Sequence, residues 1–107
     1  MDAHHTLETA EALMRSRFAA FRDGDADWLL ATWHPSTRPA ELDLDEGVRW
    51  RGLQIVDTVD GTGTDRAGVV EFRATYVADG EFGVLHERSR FVREDGRWFY
   101  VDGEHFD

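Results

Sequence analysis

The chain has no cysteine, and only two of its 107 residues are proline. The first absence excludes a disulfide framework, a thiolate metal site and cysteine-based redox chemistry, so zinc would need histidine and carboxylate ligands. It fits a reducing cytosol. Basic residues are few: 12 against 22 acidic ones, for a net charge of -10. A field of that sign repels phosphate backbones and argues against a nucleic-acid partner. No segment approaches the roughly 20 apolar residues of a membrane span, and the start of the chain lacks a basic stretch followed by an apolar run. A cytoplasmic protein without a membrane partner is expected. The length fits one domain that buries roughly two-thirds of its unfolded surface. Residues 1–8 are expected as a flexible N-terminus, holding the adjacent His4 and His5, and residues 9–107 as the single domain.

What is present is first of all helical. Leu7, Ala10, Met14, Phe18 and Phe21 recur at three- and four-residue spacing and draw one apolar stripe along about four turns. Thr6 or Thr9 caps its start, and Asp23-Gly24 supplies a glycine stop. Asp25 then caps a second short helix through Trp28, Leu29 and Trp33, ended by Pro35, with His34 in an extended or turn conformation. Residues 35–47 hold both prolines and the acidic Glu41, Asp43, Asp45 and Glu46, and read as a loop with one helical turn after Pro39.

From Val48 the pattern changes to strands: Val48 to Thr58, Val69 to Ala78, Phe82 to Arg93 and Arg97 to Asp102. Asp79-Gly80 and Asp95-Gly96 are hairpin signals. Trp50 and Leu53 do not share parity, so Gly52 marks a bulge. Helices and then an antiparallel meander give an α+β fold, with helices on one face of a curved four-stranded sheet.

Period-2 alternation puts Leu85, Glu87, Ser89 and Phe91 on one strand face and His86, Arg88, Arg90 and Val92 on the other. If the first face is the core face, a carboxylate and a hydroxyl point inward. A one-residue slip would send His86 inward instead.

Three runs carry a resemblance: Glu-Ala-Leu-Met-Arg-Ser-Arg-Phe (11 to 18), Thr-Trp-His-Pro-Ser-Thr-Arg-Pro (32 to 39) and His-Glu-Arg-Ser-Arg-Phe-Val-Arg-Glu-Asp-Gly-Arg-Trp (86 to 98). In this order, with Trp50, Gly52-Leu53 and Val70-Glu71-Phe72 between them, they resemble the central domain of the YchJ family. The resemblance implies a nuclear-transport-factor-2-like cone, in which helices and a bent sheet enclose a cavity. It supplies no reaction, because fold analogy does not carry one. Longer members carry a Cys-rich zinc motif, and this cysteine-free chain does not, so a zinc-dependent docking role is not carried over. Phe18 and Phe99 stand where such proteins often have tyrosine.

The pocket candidates are Glu71, Tyr76, Glu87 and Ser89, or His86 under the alternative parity, with His34 and either Arg15 or Arg17 from the helical part. A carboxylate in an apolar cavity has its pKa raised and can serve as a general acid or base. It also needs a partner, and Arg15 and Arg17, flanking the helix stripe on opposite sides, are the two that could reach it. The competing structural reading is a helix-to-sheet ion pair that only orients the layers. His34 is also read as a capping group for the last carbonyls of its helix, and Arg38 either clamps an anionic ligand at the cavity mouth or answers the acidic run. His34, His86 and Glu87 match no local ligand spacing, so neither metal nor other cofactor is expected.

The leading expectation is a domain that binds a small molecule or a protein segment between helices and sheet. The alternatives are an acid/base enzyme of isomerase, dehydratase or hydrolase type using Glu87 or Glu71 with His34, and a homodimeric interaction module with Val69 and Val77 in the interface.

Overall fold

The computed structural model describes residues 7–106. Thr6, the His4–His5 pair and most of the expected flexible N-terminus lie outside the described residues. Helix α1 spans Ala10–Asp23, α2 Ala26–Ala31, and the strands are β1 Val48–Asp60, β2 Ala67–Ala78, β3 Glu81–Glu94 and β4 Arg97–Phe106. The strands form one antiparallel sheet in the order β1-β2-β3-β4. The protein is therefore an α+β fold of two helices on a four-stranded meander, as the order of elements predicts.

Helix boundaries arise from side-chain chemistry. Thr9 Oγ1 accepts from the Ala12 N–H at 3.0 Å, and Gly24 closes α1 in the left-handed region at φ 76, its N–H donating to the Ala20 carbonyl. Asp25 caps α2 by accepting from the Trp28 N–H at 3.1 Å. Two expectations need correction here. Trp33 lies beyond α2, because Thr32 ends that helix and turns its hydroxyl back onto the Trp28 carbonyl at 2.7 Å. After Pro39 there is no helical turn; the turn lies earlier, at residues 35–37, where Thr37 and Arg38 donate to the His34 carbonyl.

The segment after α2 docks on the free edge of β4. Tyr100 N–H donates to the Thr32 carbonyl at 2.9 Å, and His34 N–H donates to the Tyr100 carbonyl at 2.8 Å. Backbone groups on an edge that water would otherwise satisfy are thus paired locally. At the other end of the molecule the β1–β2 connection reaches α1, where the Gly61 carbonyl accepts from the Ala10 N–H at 3.0 Å.

Among the described residues the sheet is interrupted by register shifts between Trp50 and Gly52, between Ile55 and Asp57, and between Arg90 and Phe91. Each extra residue bends its strand and reverses the facing of the residues beyond it. The first bulge puts Trp50, opposite Tyr76, and Leu53, opposite Ala74, on the same inward face, as their unmatched parity predicts. The third keeps Tyr100 in line with Phe91 while bringing Gly103 opposite Ser89 and His105 opposite Glu87. Between sheet and helices lies a core of Leu13, Met14, Val70, Phe72, Ala74, Phe91 and Trp98. At about 25 cal/mol per Å² of apolar surface removed from water, such side chains supply most of the drive for folding.

Candidate functional site

The inward face of β3 carries Glu87 and Ser89, 7% and 0% exposed, between Leu85 and Phe91. Glu87 is tied on both oxygens. Ser89 Oγ donates to Oε2 at 2.5 Å, the Tyr100 hydroxyl makes a longer contact to the same oxygen at 3.4 Å, and His105 Nε2 pairs with Oε1. Ser89 and Glu87 share a face at i and i+2; Tyr100 faces inward in regular register opposite Phe91, whereas His105 reaches that face only because of the bulge at Val101. Gly103, opposite Ser89, leaves the space in which the Glu87 carboxylate sits.

Arg17 enters from α1. It is 3% exposed, and its Nη1 donates to the Leu29 carbonyl at 2.8 Å and to Thr32 Oγ1 at 2.7 Å. A cation at the C-terminal end of α2 meets carbonyls that the helix leaves unpaired. Its guanidinium carbon stands 4.6 Å from the centre of the Tyr100 ring and 5.3 Å from that of Trp33. Burial pushes its pKa down to about 10, opposed by the fields of Tyr100 and Glu87. Burial likewise pushes the Tyr100 phenol up, with the Glu87 charge acting in the same direction.

These groups form the polar end of a cavity of about 290 Å³. Its remaining walls are Met14, Phe18, Phe21, Trp33, Trp50, Phe72, Ala74 and Leu85. The arrangement can hold an apolar ring against aromatic walls and meet polar atoms at one end only. Among the described residues no cluster of three or more His, Asp or Glu is placed to hold a metal ion.

Of the residues singled out from sequence, Arg17, Glu87 and Ser89 come together here. The others do not. Glu71 and His86 stand on the opposite face of the sheet, where alternation along β2 and β3 puts them, joined to each other at 2.8 Å; Arg88 bridges Glu71 at 2.9 Å and Asp57 at 3.3 Å. Hydrogen bonds from His86, then from Arg88, hold the Glu71 carboxyl below the usual range. Arg15 projects outward and pairs with Glu11 one turn back at 3.0 Å. His34 is held between Ser36 and Glu94, its Nε2 2.8 Å from Glu94, and does not line the cavity. Arg38 lies outside the cavity too, and its side chain reaches the Leu30 carbonyl at 3.5 Å, near the end of α2. Tyr76 faces inward but is spent against Trp50, ring centres 5.3 Å apart, above Gly83, which has no side chain to obstruct it.

Sequence reasoning misses Tyr100 and His105. Tyr100 lies within the strand expected over Arg97 to Asp102 but is not singled out, and His105 lies beyond it, where β4 continues to Phe106. Val69 and Val77 are half-buried, and the large apolar groups most exposed on the outer face are Phe82 and Val84.

The family model for the middle, nuclear-transport-factor-2-like domain of YchJ matches residues 9–103. A UPF0225 protein of Streptomyces coelicolor is 62% identical over 99 residues, covering 92% of this chain and 77% of its own length. One from Chromobacterium violaceum is 54% identical over 98 residues, covering 89% and 73%. Among solved structures, a SEC-C motif containing protein from Rhodopseudomonas palustris is similar with a TM-score of 0.80 at 33% identity, over 92% of this chain and 80% of that one. Another from Psychrobacter arcticus has a TM-score of 0.73 at 27% identity, over 90% of this chain and 60% of its own. Sequence, fold and matched span agree, and the chain belongs to the YchJ family, as its middle nuclear-transport-factor-2-like domain.

Proposed function

We propose that this domain binds a small, largely apolar molecule in the cavity between α1, the segment after α2 and the sheet. One observation carries the reading: an aromatic-walled space of about 290 Å³ ends on a buried glutamate and a buried arginine. Its size is near the lower bound of about 300 Å³ for small-molecule sites, and few convergent polar groups on an apolar wall are their usual composition. A core that needed no ligand would be more stable filled with carbon, since voids forfeit contacts. Native mass spectrometry of untagged protein from its own host is the test. A retained small molecule, lost on Ala74→Leu, which fills the cavity from its wall, is the expected result. Bare polypeptide mass, together with tryptophan signals unmoved by a library of bicyclic aromatic compounds, would overturn the reading.

A second reading, acid/base chemistry in the same cavity, is favoured by the contact of Glu87 with His105. The histidine partner is then His105 in place of His34. Glu87→Gln separates the two: turnover of a compound that binds would be lost with binding retained, whereas a binding domain has no turnover to lose.

A further inference from the structure

Arg17 is a buried guanidinium with donors to spare. Such a group carries N–H bonds on all three nitrogens, and both protons of Nη1 are used on the Leu29 carbonyl and Thr32 Oγ1. Nε and Nη2 meet no acceptor among the described residues, although the residue is 3% exposed and lines the cavity. No fully enclosed side-chain nitrogen or oxygen among those residues lacks a partner, so neither of these nitrogens is sealed off, and the residue that carries them stands in the cavity wall. A charged donor left unmet behind apolar walls is costly. An acceptor arriving in the cavity removes that cost.

Glu87 presents the opposite need across the same space. Its Oε2 is engaged by Ser89, while Oε1 is held by His105, whose side chain is 66% exposed at the rim. A carboxylate has about four lone-pair sites, so Oε1 keeps room for a donor beside or in place of the histidine. Arg17 and Glu87 make no direct hydrogen bond or ion pair with each other. Their charges influence one another through space only, and each remains available to a third party.

Building on the cavity reading above, we propose that the ligand is an uncharged planar ring compound carrying a hydrogen-bond acceptor beside a donor, a lactam or cyclic amide. The acceptor takes the Nε and Nη2 edge of Arg17, and the donor takes Glu87 Oε1. An anion would satisfy Arg17 and be repelled by Glu87, a cation the reverse, and in a site of low dielectric either mismatch weighs more than in water. Planarity comes from the walls, because Phe18, Phe21, Trp33, Trp50 and Phe72 offer ring faces and edges. The volume sets the size at one or two fused rings.

The test titrates nitrogen-15-labelled protein with isoquinolone, N-methylisoquinolone and naphthoate, tracking the Arg17 Nε–H signal and the indole N–H signals of Trp33 and Trp50. Isoquinolone should shift all three signals and bind at least about tenfold more tightly than either competitor, the worth of one hydrogen bond to a charged group. Equal affinity for isoquinolone and its N-methyl form would overturn the donor to Glu87. Naphthoate binding best would overturn the uncharged class while leaving the cavity reading intact. If none of the three moves Trp33 or Trp50, the lactam proposal falls, and the cavity reading is decided separately by the native mass measurement.

Discussion

The carboxylate of Glu87 occupies the space that a side chain at position 103 would fill. A β-carbon built onto Gly103 collides with Oε2, Cδ and Cγ of Glu87 on the neighbouring strand. The glycine is therefore an element of the site: it lets a charged side chain lie flat over β4, within reach of Ser89, Tyr100 and His105. Gly103→Ala should overpack this spot and cost about 1–3 kcal/mol, or roughly 4–8 °C in Tm per kcal/mol for a domain near this size. Glu87→Ala removes the obstructing atoms, so the double variant should lose much less than the sum of the singles. Additivity within about 0.5 kcal/mol in urea melts would show that the two positions do not share space.

Arg15 and Arg17 are two residues apart and should respond to substitution to very different extents. Arg17→Met strips the Leu29 carbonyl and the Thr32 hydroxyl of a charged donor and should destabilise by about 2–4 kcal/mol. Arg15→Met breaks only an exposed pair with Glu11 one turn away and should stay within about 0.5 kcal/mol. Denaturant midpoints of the two variants side by side decide it; equal losses would refute the assignment of Arg17 as the inward arginine.

The difference between these arginines is not legible in the sequence, since both flank the apolar stripe. Periodicity locates α1 and Gly24 its stop; Thr9 and Asp25 mark boundaries because their side chains accept from nearby backbone N–H groups, and Asp79-Gly80 and Asp95-Gly96 because both residues of each pair take positive φ. The bulge beside Gly52, with Arg51 as the extra residue, is readable too, from the clash in parity between Trp50 and Leu53. What faces what at long range is not. Glu71 has the chemistry of a pocket carboxylate, yet one position of strand alternation separates it from Phe72 and sends it outward. His105 escapes for the converse reason: a bulge opposite Arg90 and Phe91 reverses the facing of the last strand, and nothing local in Val101-Asp102-Gly103 announces it. His34 and Arg38 draw attention as polar groups at a helix exit, and their partners, Glu94 and the Leu30 carbonyl, are set by how that exit docks.

Tyr100 should report its surroundings at alkaline pH. Burial, with the Glu87 charge, raises its pKa above the unfolded value of 10.0. A raised phenol contributes stability that is complete below that value and is lost as pH climbs above it, because the unfolded chain gives up the proton first. In ultraviolet titration the Tyr100 phenolate should therefore appear only as the protein unfolds, and Tyr100→Phe should remove that step and flatten the alkaline limb of the stability curve. In a Tyr76→Phe background, a phenolate forming near pH 10.0 in protein that is still folded would contradict the buried placement.

Glu71→Gln should act on stability without touching the cavity. The wild-type carboxyl is depressed by His86 and Arg88 below the ordinary glutamate value of 4.5, so its contribution is present above the unfolded pKa and fades as pH falls through the lower folded one. The stability gap between wild type and variant, measured by urea melts, should narrow as pH falls below about 5. Because the residue sits on the far face of the sheet, affinity for any compound shown to move the Trp33 and Trp50 signals should be unchanged. A variant that loses such binding while its melting behaviour stays native would put Glu71 back in the site and reverse the facing assigned to β2.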